Sequence, residues 1–244
     1  MNVKMDLHTH TIASGHYTSD TLTAIAERAK NKGLSHLGIT DHAPKLNGSA
    51  SLSYFRNLRY SDKILYGVNM LYGVELNILN SNGDVDLPSD ILAGLDYAIA
   101  SLHQQTFTPK SEEDNTLALL NAMNNPYVTA IGHPDDPAYR IDVKRLVYTA
   151  KETNTLLELS SVGVTPDGYR GYGISRLVEM LLLCKKHSVS IMLGSDSHGK
   201  ENVGNFTNSL KLLEILNFPK DLVVNTNPQL FFDIINKKRN TIHK

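Results

Sequence analysis

The sequence predicts a parallel α/β barrel, on three observations. Short apolar runs alternate with amphipathic stretches along all 244 residues, at the roughly 25- to 40-residue spacing of repeated βα units. Residue types that bind metals end one strand segment after another. No stretch rich in Gly, Ser or Pro divides the chain, so a single domain over residues 1–244, with its core from about 4 to 237, is expected.

Residues 3–7 open the series as a strand that runs into His8-Thr9-His10. Leu22, Ile25, Ala26 and Ala29 then recur at i, i+3, i+4 and i+7, behind a cap at Ser19 and before Gly33, which predicts an amphipathic helix. Leu37-Gly38-Ile39-Thr40 is the second strand and leads to His42. Residues 70–74, 97–102 and 127–132 are strands leading to Glu75, His103 and His133. Val143, Leu146, Val147 and Ala150 behind Asp142 predict a further helix, and residues 156–159 a strand that includes Glu158. Segment 165–173, with Pro166 and three glycines, reads as a mobile loop. Ile174, Leu177, Val178 and Leu181 mark a helix, residues 190–194 a strand before Asp196 and His198, and Phe206, Leu210, Leu213 and Leu216 another helix. Residues 222–224 read as an eighth, shorter strand. Each apolar stripe is a core-facing one.

Twenty-four Lys and Arg against 25 Asp and Glu leave a net charge of -1, and Lys237-Lys238-Arg239 is the longest run of one sign. That argues against long nucleic acid and anionic membranes as partners. The one cysteine, Cys184, lies in an apolar run, which excludes an internal disulfide and fits a reducing compartment. Residues 1–10 carry Lys4 and Asp6 where a signal peptide needs an apolar stretch, and no run approaches a membrane span, so a cytoplasmic protein is expected.

Chemistry concentrates at the strand ends, which a parallel barrel gathers on one face. His8, His10, His42, Glu75, His103, His133, Asp196 and His198 all stand there. The i, i+2 pairs His8/His10 and Asp196/His198 point to one side if strand geometry continues that far. So many buried imidazoles need partners, and imidazole-rich ligation suits zinc, iron or manganese rather than magnesium or calcium. The ligands exceed what one tetrahedral ion takes, which implies at least two metals. His16 could supply a further site with His42 and His198. Asp6 and Asp41 are candidates to accept a ligand imidazole N–H. Glu158 is a candidate outer or substrate contact, and Arg170 a bidentate phosphate contact. Asp135 and Asp136 read as a turn, and His36, His187 and His243 as structural histidines.

Asp6-Leu7-His8-Thr9-His10-Thr11, Ile39-Thr40-Asp41-His42, Gly73-Val74-Glu75, Ser101-Leu102-His103, Gly132-His133-Pro134 and Gly194-Ser195-Asp196-Ser197-His198 together resemble the PHP (polymerase and histidinol phosphatase) superfamily. The resemblance runs from residue 4 to about 237 and is nearest to its short, single-domain YcdX-type phosphatases. It implies a distorted (β/α)7 barrel of the TIM-like kind with a trinuclear centre of divalent ions, zinc foremost and manganese or iron as alternatives. By that resemblance His8, His10, Glu75 and Asp196 bind the first ion, Glu75 bridges to a second held by His103 and His133, and His16, His42 and His198 bind the third. A homotrimer is also implied.

Three divalent ions against Glu75, Asp196 and a bridging hydroxide leave a charge of about +3 in the pocket, which would draw in a phosphate dianion. A metal pair lowers the pKa of its bridging water, so the expected activity is a metal-dependent phosphatase acting on phosphate monoesters of a small molecule. The hydroxide would be positioned by Glu75 and Asp196, without a nucleophilic Ser or Cys. The alternatives are a nuclease or phosphodiesterase of the same superfamily, a metal-dependent amidohydrolase, and a metal-storage module without turnover.

Overall fold

The computed structural model describes residues 1–165 and 173–240. Strand β1 (Met5–Asp6) pairs in parallel with β2 (His36–Ile39), and short β3 (Ile64–Leu65) runs antiparallel on the far edge of β4 (Val68–Tyr72), which pairs in parallel with β2. The chain of β4 continues through Gly73 and Val74 into β5 (Glu75–Asn77). From β5 the order is β6 (Ala98–Ser101), β7 (Val128–Ile131), β8 (Leu156–Ser160) and β9 (Ile191–Gly194), every pair parallel. With the β4–β5 run taken once, these are the seven parallel strands of the expected barrel.

Backbone hydrogen bonds join the two sheets. Gly73 N donates to Ile39 O (2.9 Å) and Glu75 N to Asp41 O (3.2 Å), while Ile99 N donates to Val74 O (2.9 Å), so the β4–β5 run is paired on both flanks. Past the ends of β9 and β1, Asp196 N donates to His8 O and His10 N to Ser197 O, both at 2.9 Å, and the circuit closes.

At the other end of that seam a side chain replaces the ladder. Asn225 Nδ2 donates to Met5 O (3.0 Å) and Leu193 O (2.8 Å), and Asn225 Oδ1 accepts from Leu193 N (2.6 Å). The eighth strand expected at 222–224 is therefore a misreading. Val223 makes one parallel bridge to Ile191 between two 3-10 turns, because the chain bends there to bring Asn225 into the seam.

Helix α1 (Leu22–Asn31) is capped by Thr21, whose hydroxyl accepts from Ala24 N, and not by Ser19. Helices α2 (Leu52–Asn57), α3 (Ser89–Leu92) and α4 (Glu112–Ala122) are additions to the expected series. Helix α5 (Val143–Thr153) has the expected Asp142 cap, accepting from Arg145 N at 2.9 Å. Helices α6 (Ile174–His187) and α7 (Thr207–Ile215) cover the last two predicted stripes, and α8 (Pro228–Arg239) is a further addition.

The barrel interior holds Met5, Leu7, Tyr97, Ile99, Leu156 and Met192, and Phe231 and Ile235 of α8 plug its N-terminal end. A larger apolar layer, including Ile25, Leu37, Ile39, Leu146 and Leu177, fills the space between strands and helices. Each such side chain is worth about 1.5–3 kcal/mol on burial. Cys184 belongs to that layer, and burial pushes its thiol up to about 12. Among the described residues no helix is long and apolar enough to cross a membrane.

Candidate metal centre

Glu75, the first residue of β5, is fully buried and stands at the centre of the histidine cluster. Its two carboxylate oxygens face different neighbours. Oε2 lies 3.3 Å from His8 Nε2, 3.5 Å from His10 Nε2 and 2.8 Å from His42 Nδ1. Oε1 lies 2.9 Å from His133 Nε2 and 3.2 Å from His103 Nε2. Asp196 Oδ1 adds contacts of 3.4 Å to His10 Nε2 and 3.8 Å to His8 Nε2. The ring of His16 lies 4.9 Å from those of His42 and of His198, and the His10 and His198 rings stack at 4.1 Å. All nine histidines and carboxylates expected as ligands thus converge. His42 does not sort cleanly into one group, because it falls both with Glu75 and His103 and with His10 and His198.

The local folding of each strand end explains this convergence. His8 and His10 leave β1 on alternate residues and so share a side, while Thr9 bridges Ser197 on the neighbouring strand end. His133 and Asp196 adopt left-handed backbone, with φ of 28° and 50°. For non-glycine residues that costs on the order of 1–3 kcal/mol, a strain typical of functional sites. Gly194 leaves room beneath the site, since a Cβ there would sit 1.9 Å from Glu158 Oε1.

The outward-facing imidazole nitrogens are held by fixed partners. His8 Nδ1 donates to Glu158 Oε1 (2.7 Å), and Glu158 Oε2 accepts the backbone N–H of His133 (2.7 Å). His103 Nδ1 donates to Asn77 Oδ1 (2.7 Å), and Asn77 is oriented by its own donation to Ala43 O and Asp86. His10 Nδ1 meets Ser14 Oγ at 2.9 Å. Glu158 is thus an outer contact, as anticipated. Asp6 is not: it accepts backbone N–H groups of His8, Ser195 and Gly204, so it shapes the loop and touches no imidazole. Asp41 likewise misses direct contact and reaches His10 through the Ser14 hydroxyl (2.7 Å). Ser14 and Asn77 escaped the sequence reading, since nothing local in sequence signals their pairing with a ligand.

On the inward side, His8 Nε2, His10 Nε2, His42 Nδ1, His198 Nε2 and Glu75 Oε2 are buried without a hydrogen-bond partner among the described residues. The His42–Glu75 contact is close but not aligned as a hydrogen bond. Leaving such groups unpaired costs about 1–3 kcal/mol each. The electrostatics point the same way. Burial, His198 and His8 bring His10 down to about 3, and burial drives His42 well below the usual imidazole range, so both stay neutral with a lone pair to give. Burial opposes charge on His8, yet Glu158, Glu75 and Asp196 outweigh it and raise its pKa well above the ordinary value. Burial also disfavours the Glu75 anion, but His42, His8 and His103 keep it well below the carboxylate range. A His8 that holds a proton against burial shows that the pocket surrounds positive charge, and imidazoles converging with acidic oxygens fit divalent ions of the zinc class.

The cluster opens into a cavity of about 750 Å³ whose other walls include Tyr17, Gln104, Gln105, Asp136, Val162 and Asn202. Arg170 and His243 lie outside the described residues, as does most of the loop expected at 165–173. Asp136 makes the expected turn, with its N–H on His133 O. His36 and His187 stand apart, against Phe232 and Tyr148.

The model of the PHP domain matches residues 6–161. A protein of Clostridium novyi (strain NT) named "Probable phosphatase" is 42% identical over 239 residues, covering 98% of this chain and 96% of the relative. A "Probable phosphatase" of Clostridium acetobutylicum is 41% identical over the same shares. Among solved structures, a histidinol phosphate phosphatase from Lactococcus lactis subsp. lactis Il1403, complexed with zinc, L-histidinol and phosphate, matches with a TM-score of 0.62. It covers 88% of this chain and 94% of its own, and at 18% identity it speaks for the fold alone. With the family model matched over more than half of its length, and relatives matched nearly end to end, this chain belongs to the PHP-domain family.

Proposed function

We propose that this protein is a metal-dependent phosphatase that hydrolyses phosphate monoesters of a small molecule at a trinuclear centre. The observation that carries this reading is the set of buried, unpaired ligand atoms around Glu75, whose two oxygens face two separate groups of imidazoles. His8, His10, Glu75 and Asp196 would hold one ion, Glu75, His103 and His133 a second, and His16, His42 and His198 a third. Zinc suits this donor set best, with manganese and iron next. When bound, such ions polarise phosphoryl oxygens and ionise water near neutral pH.

The residues of the chain supply position and charge. Glu75 and Asp196 bring the only carboxylates assigned to the ions, so the loaded site stays positive and complements a phosphate dianion. The described residues lining the cavity include no Lys or Arg, which leaves Arg170, a few residues before α6 in sequence, as the candidate guanidinium for the phosphate. Tyr17, Gln104, Gln105 and Asn202 offer neutral hydrogen-bonding groups to the rest of the substrate. The "Probable phosphatase" relatives, matched nearly end to end, support a phosphorylated substrate.

The test is metal content per chain after purification without chelator, paired with p-nitrophenyl phosphate turnover before and after chelation. Near three ions and chelator-sensitive release of phosphate are expected. Fewer than two ions would overturn the ligand assignment, and bound ions without phosphate release from a broad panel of monoesters would overturn the activity.

A further inference from the structure

Ser14 belongs to no metal-ligand motif and is fully buried, yet it touches three of the proposed ligands. Its Oγ meets His10 Nδ1 at 2.9 Å and the backbone N–H of His42 at 3.3 Å. Its carbonyl oxygen accepts from His16 Nδ1 at 3.0 Å. The same hydroxyl donates to Asp41 Oδ1 at 2.7 Å.

These contacts determine where the protons lie. Asp41 receives four donors: Thr11 N and Ser14 Oγ on Oδ1, and Thr11 Oγ1 and Tyr54 Oη on Oδ2. Thr11 N can only donate, so Oδ1 is an acceptor and the single Ser14 proton goes to it. The Ser14 oxygen then has two lone pairs and two donors, His42 N–H and His10 Nδ1–H. A neutral His10 with its proton on Nδ1 presents a lone pair at Nε2, the atom left unpaired beside Glu75 and Asp196. The turn carrying Ser14 is itself pinned: Gly15 follows in the left-handed region (φ 79°), and a Cβ there would lie 1.9 Å from Gly48 O.

We propose that Ser14 is a positioning residue that selects the metal-binding tautomer of His10 and couples the first ion site to the third through His42 and His16. The proposal rests on the metal-centre reading above. Removing the hydroxyl leaves His10 free to take either tautomer and releases the His42 backbone, so two sites weaken from one change.

The experiment is zinc titration against a chromophoric chelator on wild type, Ser14→Ala and Ser14→Thr, with thermal unfolding of each metal-free protein as the folding control. Ser14→Ala is expected to lower affinity by about 10–100-fold for at least two ions, and Ser14→Thr, which keeps the hydroxyl, to restore most of it. Nitrogen-15 NMR of histidine rings in metal-free wild type, at a pH where His10 is neutral, is expected to show the His10 proton on Nδ1. Should Ser14→Ala fail to fold, that spectrum decides alone. Unchanged zinc affinity in folded Ser14→Ala, or a His10 proton on Nε2, overturns the role of Ser14 and leaves the metal centre standing. Wild type that takes up no zinc overturns both.

Discussion

The two ends of the barrel treat buried polar groups in opposite ways. At the N-terminal end Asn225 spends both amide protons and its oxygen on β1 and β9, and Lys238 donates to Met123 O, Thr153 O and Thr155 Oγ1. At the C-terminal end five buried nitrogen and oxygen atoms of four histidines and Glu75 have no hydrogen-bond partner among the described residues. Burial is as complete at Glu75 as at Asn225, so exposure does not separate the two ends. What differs between Asn225 and Lys238 on one side and the histidine cluster on the other is completeness of pairing. A polar group that is buried and paired holds the fold together, whereas a convergent set that is buried and unpaired is shaped for something the chain itself does not supply.

The largest test of that contrast is Glu75→Gln, which keeps volume and removes the charge facing both imidazole groups. Phosphatase activity should fall by more than the roughly 100-fold upper range of an outer-partner change, with at least one ion lost on metal analysis. Full metal content and activity would mean that the unpaired atoms are not ligands. At the opposite end, Asn225→Ala leaves Met5 O, Leu193 O and Leu193 N without partners. It should cost about 3–5 kcal/mol in denaturant unfolding, while zinc affinity stays within about threefold, as for independent sites. A matching loss of zinc affinity would show that the seam and the metal centre are one unit.

Lys238 sharpens the contrast through pH. Burial lowers its pKa to about 8 from 10.5, so between those values the unfolded chain binds more protons than the folded one, and stability rises with pH. Below about pH 8 the full cost of burying the charge is present, and above 10.5 it is gone. Measured as the difference from Lys238→Met, which cancels the other titrating groups, wild type should gain at most about 3 kcal/mol across that window. A flat difference would show that the three oxygen acceptors hold the ammonium charged throughout.

The strand ends were legible because period and chemistry coincide there: an apolar run stops and a histidine or carboxylate follows. Helix α4 was not, because its inward face buries Asn115 and Thr116 beside Ala118 and Leu119, which dilutes the apolar stripe. Thr116 donates to Glu112 O one turn back in the helix and accepts from Asp142 N, and only tertiary contact assigns the second role. The cap of α1 fell two residues from its expected place because Ser19 and Thr21 are equally plausible in sequence. Residues 222–224 look like a strand by composition, yet the neighbouring Asn225 side chain, not their backbone, completes the seam. Within the site, the proposed ligands and Glu158 announce themselves by type, while Ser14 and Asn77 act through side-chain hydrogen bonds that nothing in the sequence marks.

Glu158 provides the finest test, since it differs from its amide by one proton-bearing group. Its Oε1 accepts from His8 Nδ1 and its Oε2 from His133 N, both at 2.7 Å. Glu158→Gln has one acceptor for two donors. The backbone N–H of His133 cannot change its role, so the amide oxygen should stay there and the NH₂ should turn to His8 Nδ1. His8 would then carry its proton on Nε2, the atom facing Glu75. Zinc affinity should drop by about 10–100-fold with little change in the melting of the metal-free protein, and the ring nitrogen spectrum of His8, taken at a pH where that ring is neutral, should show the exchanged tautomer. Retained affinity would mean that His8 is held by packing and not by its proton, which would remove the distinction between paired and unpaired atoms at the residue where it is drawn most finely.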